Sequence, residues 1–174
     1  MFFELIGTIM AGVATALLIW AINRTILKGL LPKWLVPTAA GAAMLIAAVS
    51  LDYSWYNRTT STMPEGLVVA ETVEETAFYR PWTYAVPYIA RFIAVDQATV
   101  RTHPQQPNQH LVDLWIYGRW TRVAKVPALF DCALGQRADV VDGIEFGENG
   151  QVVGADWIAV TQNDPVLKVA CEEV

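Results

Sequence analysis

The sequence predicts a membrane protein: an N-terminal transmembrane α-helical hairpin, then a small α+β extracytoplasmic domain with an antiparallel sheet and a C-terminal helix. Three observations carry this expectation. Two charge-free apolar segments fall within residues 1–55, a short basic link separates them, and the rest of the chain reads as turn-punctuated strands closed by a capped helix. The expected division is a hairpin over 1–55, a stalk over 56–66 and an outer domain over 67–174.

Residues 5–22, LIGTIMAGVATALLIWAI, carry no charge. At 1.5 Å per residue such a helix reaches roughly 27 Å, close to the hydrocarbon thickness of about 30 Å. Residues 34–51, WLVPTAAGAAMLIAAVSL, are equally free of charge, with Pro37 in the first turn, where a missing amide hydrogen costs little. Trp34 at one end and Tyr53, Trp55 and Tyr56 at the other suit the two interfaces. Two buried helices of a soluble protein are the competing reading, but soluble helices rarely run this long without a charge. A cleaved signal peptide would need a basic leading region, which MFFE does not supply.

Orientation follows from the link NRTILKGLLPK, which holds Arg24, Lys28 and Lys33 and no acid. Positive loops stay on the cytoplasmic side, so both termini are expected across the membrane. The short loops and two-span design point to a bacterial inner membrane, with the termini periplasmic. Small residues four apart share a helix face: Gly7 with Ala11, Gly12 with Ala16, Ala39 with Ala43, and Ala43 with Ala47. Such faces serve either the packing of the hairpin itself or contact with helices of another protein.

After Leu51 the chain holds 123 residues, enough for one domain, with nine basic against sixteen acidic residues, a net of −7. An acidic domain argues against nucleic acid and against clinging to anionic headgroups. The stretch LDYSWYNRTTSTMPEG is expected to be an irregular stalk, and LVVAETVEETAF a short strand or the start of a helix. Residues 78–95 gather six aromatic side chains around Pro81 and Pro87, with only Arg80 and Arg91 charged. After Pro87 the pattern allows a short helix with Tyr88, Ile89, Phe92 and Ile93 on one face. Arg80, Trp82, Tyr84, Tyr88 and Phe92 are candidates for contact with a partner or the membrane surface, these being residue types that dominate binding hot spots. Burial in the domain core is the alternative for the same residues.

THPQQPNQ, residues 102–109, reads as a loop flanked by His103 and His110, which lack further ligands for a metal and are expected on the surface. Beyond it the period becomes that of strands: HLVDLWIYG, then RWTRVAKVPALFDC, then RADVVDGIEFGENGQVVGADWIAV. Gly118 marks a turn between the first two, and Glu148, Asn149 and Gly150 a hairpin between 144–146 and 152–153. An antiparallel sheet of about four strands is expected. Asp164 followed by Pro165 is a helix start, with Val166, Val169 and Ala170 facing the sheet.

Cys132 and Cys171 both lie in this domain. In an oxidising compartment two thiols in one small domain are expected to be joined, the alternative being two buried thiols. Neither belongs to a CxxC pair, so redox catalysis and structural zinc find no support. FDC at 130–132, the charged strand RADVVDGIEF, the ENGQVV hairpin, the DWIAV strand and the 165–171 helix together resemble the surface-adhesin protein E-like domain over residues 112–174. The resemblance implies the same disulfide and a small sheet-plus-helix fold, but no activity. It departs at the two N-terminal spans, since typical members are secreted or lipid-anchored.

No phosphate loop, nucleophile elbow, HExxH or CxxCH occurs. Asp139, Asp142, Glu145 and Glu148 are the densest carboxylates, and strand geometry would scatter them over a solvated face. The chain is therefore expected to be no enzyme and to need no cofactor or metal. Its expected partners are an integral membrane protein complex and the lipid bilayer, and its expected role that of an accessory subunit. A membrane-anchored binding module for a peptide, envelope component or small ligand is the alternative.

Overall fold

The computed structural model describes residues 2–140, 145–147, 152–161 and 163–172. They fall into two compact units, Met1–Ser61 and Thr62–Val174.

The first unit is a pair of helices, α1 (Phe2–Thr25) and α2 (Leu35–Thr60), of 24 and 26 residues. Both are long and apolar enough to cross a membrane. Helices of apolar residues must satisfy their polar side chains locally, and the threonines here do so. The hydroxyls of Thr15, Thr25, Thr38 and Thr59 each donate to the carbonyl four residues back, at 2.7–2.9 Å. At the far end of the pair Arg58 Nη2 meets Glu4 Oε1 at 3.3 Å, as antiparallel packing of the two helices requires.

One small residue, Gly12, packs directly against the second helix. Gly12 is buried, and a Cβ on it would stand 2.6 Å from Met44 Cγ and 3.4 Å from the Ala40 carbonyl. Ala11, Ala16, Ala39, Ala43 and Ala47 are half-buried, whereas Gly7 is exposed with nothing near its missing side chain. Two expectations change. Residues 56–60 are the last helical turns of α2 and not irregular stalk, because apolar and aromatic residues continue the helix past Leu51. Trp55, expected among the interfacial aromatics, is buried.

The second unit is an antiparallel sheet with one helix packed on it. Its strands are β1 (Leu67–Glu75), β2 (Tyr88–Asp96), β3 (Arg101–His103), β4 (Gln106–Gly118), β5 (Ala124–Asp131), β6 (Gln136–Asp139), β7 (Glu145–Phe146), β8 (Val152–Val153) and β9 (Ile158–Ala159). The sheet order is β1-β2-β4-β5-β6-β9, with β3 paired to β4 and β7-β8 forming a separate hairpin. Seven strands in the main sheet exceed the expected four because β1 and β2, nine residues each, show no clean alternation and β3 is only three residues long. The 144–146 and 152–153 hairpin is present, with Phe146 opposite Val152, while its turn residues Glu148, Asn149 and Gly150 lie outside the described residues. So does Asp142, and of the remaining carboxylates Asp139 stands 3.9 Å from Arg137 Nε.

Long β4 organises the sheet. One of its edges is shared: Leu114 to Gly118 pair with β2, while residues before them pair with β3. Between β2 and β3 the 3-10 turn Gln97–Thr99 bends the chain over Gly66, whose carbonyl accepts from Gln97 N at 2.9 Å. Gly66 has φ of +94°, and a Cβ there would lie 2.8 Å from Ala98 Cβ, so both conformation and space call for glycine.

Helix α3 (Pro165–Cys171) starts as expected: Asp164 Oδ1 accepts from Val166 N at 2.9 Å and Leu167 N at 3.0 Å. Val166 and Ala170 face the sheet, and so does Leu167, forming one core with Val95, Val112, Leu114, Ala128 and Phe130. The end of α3 is tied down three ways. Gln97 Nε2 donates to the Val169 carbonyl at 3.3 Å, His110 Nδ1 to the Ala170 carbonyl at 2.9 Å, and Cys171 is disulfide-bonded to Cys132 at the end of β5. His110 is thus a half-buried histidine bonded to the end of α3. A carbonyl only accepts, so its Nδ1 carries the proton.

Three local expectations are overturned. Residues 88–96 form a strand and not a helix. Residues 102–109 are largely a β-hairpin, β3 to β4, around a turn at Pro104 and Gln105. Residues 119–123 form a loop, and β5 begins only at Ala124.

Candidate functional site

The aromatic segment 78–95 divides at Pro87. Tyr88 and Phe92, expected as contact residues, are 5% and 0% exposed and belong to the core, with Phe92 stacked on Tyr117 at 4.8 Å between ring centroids. The residues before Pro87 behave oppositely. Phe78, Tyr79, Tyr84 and Val86 are exposed, Trp82 reaches 37% exposure, and all sit on one loop between β1 and β2.

That loop is held in shape from within. Pro81 starts the 3-10 turn Pro81–Tyr84, and Thr83 points inward, 1% exposed. The Thr83 hydroxyl accepts from Ala77 N at 2.9 Å and donates to the Arg80 carbonyl at 2.7 Å, clamping the two halves of the loop together. A further turn bond runs from Arg80 N to the Ala77 carbonyl at 2.9 Å. Around this pin Phe78 and Arg80 both lie against Tyr79. Phe78 meets Tyr79 edge-on at 5.5 Å, and the Arg80 guanidinium lies 5.3 Å from the Tyr79 ring centre and 5.7 Å from that of Tyr88. A cation over aromatic faces and aromatic rings in water form an amphipathic platform on a backbone that is braced before any partner arrives. Such preorganisation lowers the entropy cost of binding.

A second feature lies where β3, β4, β5 and the β7-β8 hairpin meet. A cleft of about 210 Å³ is lined by Arg101, Thr102, His103, Gln106, Gln109, Leu111, Leu129, Gly147 and Val152. Its walls are mainly apolar. Gln109 Oε1 is buried there with no hydrogen-bond partner among the described residues. None of Trp115, Trp120 or Trp157 is among the lining residues.

Trp115 instead stands in a row on the sheet surface. Its ring lies 6.4 Å from Tyr117 and 5.4 Å beneath Lys125 Nζ, which also pairs with Asp113 at 2.9 Å. Burial pushes the Tyr117 phenol above its usual range. Among the described residues no cluster of three or more His, Cys, Asp and Glu could hold a metal.

The expected disulfide partners, Cys132 and Cys171, are brought together, and Gly12 lies against Met44 and Ala40 of α2, whereas Gly7 has nothing near its missing side chain. Of the five expected contact residues, Arg80, Trp82 and Tyr84 share the loop, and Tyr88 and Phe92 do not. Phe78 and Tyr79 were missed, although both stood in the same aromatic run. The described residues thus define a class: two apolar helices long enough to span a membrane, joined to an antiparallel sheet with one disulfide-fastened helix. Comparisons with protein-family models, curated proteins and solved structures find no match, so a functional reading rests on these residues themselves.

Proposed function

We propose that this chain is a non-catalytic accessory subunit of a larger bacterial inner-membrane assembly, such as a respiratory or photosynthetic electron-transfer complex. Helices α1 and α2 anchor it in the bilayer, with both termini periplasmic, and the loop around Thr83 docks on a neighbouring subunit. The observation that carries this reading is the loop itself: four aromatic rings and an arginine displayed on a braced 3-10 turn. Large apolar side chains in water cost free energy that a partner surface recovers, at about 25 cal/mol per Å² covered. The disulfide supports an oxidising compartment for the second unit, and the basic link supports the orientation. The likeness to the surface-adhesin protein E-like domain belongs to the same proposal. The order of β5, β6, the β7-β8 hairpin, β9 and α3 supports it as a likeness of framework, not of role.

The test is extraction of native membranes in mild detergent, followed by native electrophoresis. The chain should migrate with a larger assembly, and a Trp82→Ala, Tyr84→Ala double variant should be released from it while keeping its disulfide. Wild-type chain that always migrates alone, and whose deletion leaves every membrane complex intact, would sink the proposal.

A second reading has its own observation. Gln109 Oε1, buried in the β3-β4-β5 cleft and without a hydrogen-bond partner among the described residues, suits a small, largely apolar ligand with an N–H donor, which would make the domain a membrane-anchored binding module. Chemical-shift changes confined to residues 101–111 on adding such compounds would favour it over docking.

A further inference from the structure

The link between α1 and α2 holds a second cleft, of about 530 Å³, lined by Trp20, Asn23, Arg24, Lys28 and Gly29. We infer that this cleft binds the phosphodiester of an anionic phospholipid. The inference rests on the proposal that α1 and α2 span a bilayer.

Its charge is uncompensated. Arg24, Lys28 and Lys33 occur within ten residues, residues 5–51 contain no acid, and none of the three cations has an ion-pair partner among the described residues. Glu4, the acid preceding that stretch, is committed to Arg58.

The geometry suits a phosphate at a membrane surface. Arg24 Cζ lies 6.0 Å from the centre of the exposed Trp20 ring, a stack that places a guanidinium beside an interfacial indole. The chain leaves α1 through two residues at positive φ, Lys28 at 47° and Gly29 at 87°, and Gly29 N donates back to the Asn23 carbonyl at 2.8 Å. That turn carries Lys28 to the same cleft as Arg24. Asn23 Oδ1 accepts from Leu31 N at 3.1 Å, which fastens the floor of the cleft and leaves the amide nitrogen of Asn23 to donate.

The surroundings identify the source of the phosphate. Leu17, Leu18, Ile26 and Leu30 are exposed apolar side chains around the basic residues, a surface for acyl chains that a free phosphate would leave uncovered. A zwitterionic headgroup would add an ammonium to a cleft that already holds unpaired cations, whereas a glycerol headgroup would not. The C-terminal carbonyls of α1 repel an anion, so the side chains and not the helix must hold it.

The test uses the full chain, reconstituted in vesicles of phosphatidylglycerol or of phosphatidylcholine, then extracted and examined by native mass spectrometry for retained lipid. Wild type should keep phosphatidylglycerol in preference to phosphatidylcholine. At about fivefold per cation near the surface, an Arg24→Gln, Lys28→Gln double variant should lose roughly twenty-fivefold in that preference. Arg24→Lys should keep most of it, and circular dichroism should show unchanged helix content in all variants. Excess inorganic phosphate should not displace the lipid. Equal retention of the two lipids, a double variant that matches wild type, or displacement by inorganic phosphate would each overturn the site. A chain that stays in the aqueous phase with both vesicle types would overturn the spanning proposal, and the site with it. A chain that inserts but is indifferent to headgroup overturns the site alone.

Discussion

Reducing the Cys132–Cys171 bond tests how the sheet domain is held together. The bridge spans a sequence separation of 39 and ties the last residue of α3 to the end of β5. In the chain-entropy model a loop of that length removes about 13 cal/mol/K from the unfolded ensemble, on the order of 4 kcal/mol at 25 °C. A domain of this size is stable by about 5 to 15 kcal/mol, so the bond is a sizeable part of the total. The native state keeps its other ties to α3: the Asp164 cap, the Gln97 and His110 bonds and the buried Val166, Leu167 and Ala170. The reduced protein is therefore expected to fold, at lower stability. Urea unfolding of the full chain in detergent, followed by tryptophan fluorescence, is the assay. With a slope of about 1 to 2 kcal/mol per molar, reduction should lower the midpoint by about 2 to 4 M. Comparing oxidised and reduced wild type leaves every other side chain in place. A midpoint that moves by less than about 0.5 M would refute the reasoning, and would mean that the 39-residue loop is already restricted in the unfolded chain.

Three further outcomes are expected. Gly12→Leu should weaken the α1-α2 pair by about 1 to 3 kcal/mol, because its Cβ would intrude on Met44 and approach the Ala40 carbonyl, whereas Gly7→Leu should be neutral; thermal melting of helicity in detergent compares them. Asp164→Ala leaves Val166 N and Leu167 N without their acceptor and should cost about 1 kcal/mol, read as a lower urea midpoint, with Asp164→Asn losing less. Burial raises the Tyr117 phenol above 10.0 in the folded state, so its contribution is fully present below pH 10 and is lost as pH rises through the folded value. Tyr117→Phe should therefore blunt the loss of stability in alkali above that pH, and its phenolate absorbance should emerge after that of exposed tyrosines. Parallel alkaline stability curves for wild type and variant would contradict this.

What was legible in the sequence depended on how local its cause was. The apolar segments, the Asp164-Pro165 start of α3 and the β7-β8 pairing follow from composition, capping chemistry and turn residues within a few positions. The strand β2 was misread because apolar residues stand on both faces of it, although one face is buried and the other only partly so. Tyr88, Ala90, Phe92 and Ala94 occupy one face and Ile89, Arg91, Ile93 and Val95 the other, so exposed Arg91 is the one break in an apolar run and no alternation of hydropathy is left to see. The β3-β4 hairpin was misread for the opposite reason. Its residues are polar at the edge of the sheet, yet their backbones are paired. In the candidate loop the aromatic residues were plain, but which of them face water was not. That division depends on Thr83, an unremarked residue whose hydroxyl joins the Ala77 amide to the Arg80 carbonyl.

By itself, then, the sequence determined two helices long enough to span a bilayer, a sheet-forming remainder, a capped final helix and a pair of cysteines available to each other. These depend on hydrophobic length, period and short-range hydrogen bonding, which act between neighbours in the chain. Only the tertiary structure decided the strand order around β4, the inward turn of Tyr88 and Phe92 against the outward turn of Phe78, Tyr79 and Tyr84, and the role of His110 at the end of α3. Each of those depends on residues far apart in sequence competing for the same buried surface, and that competition is settled only when the sheet closes.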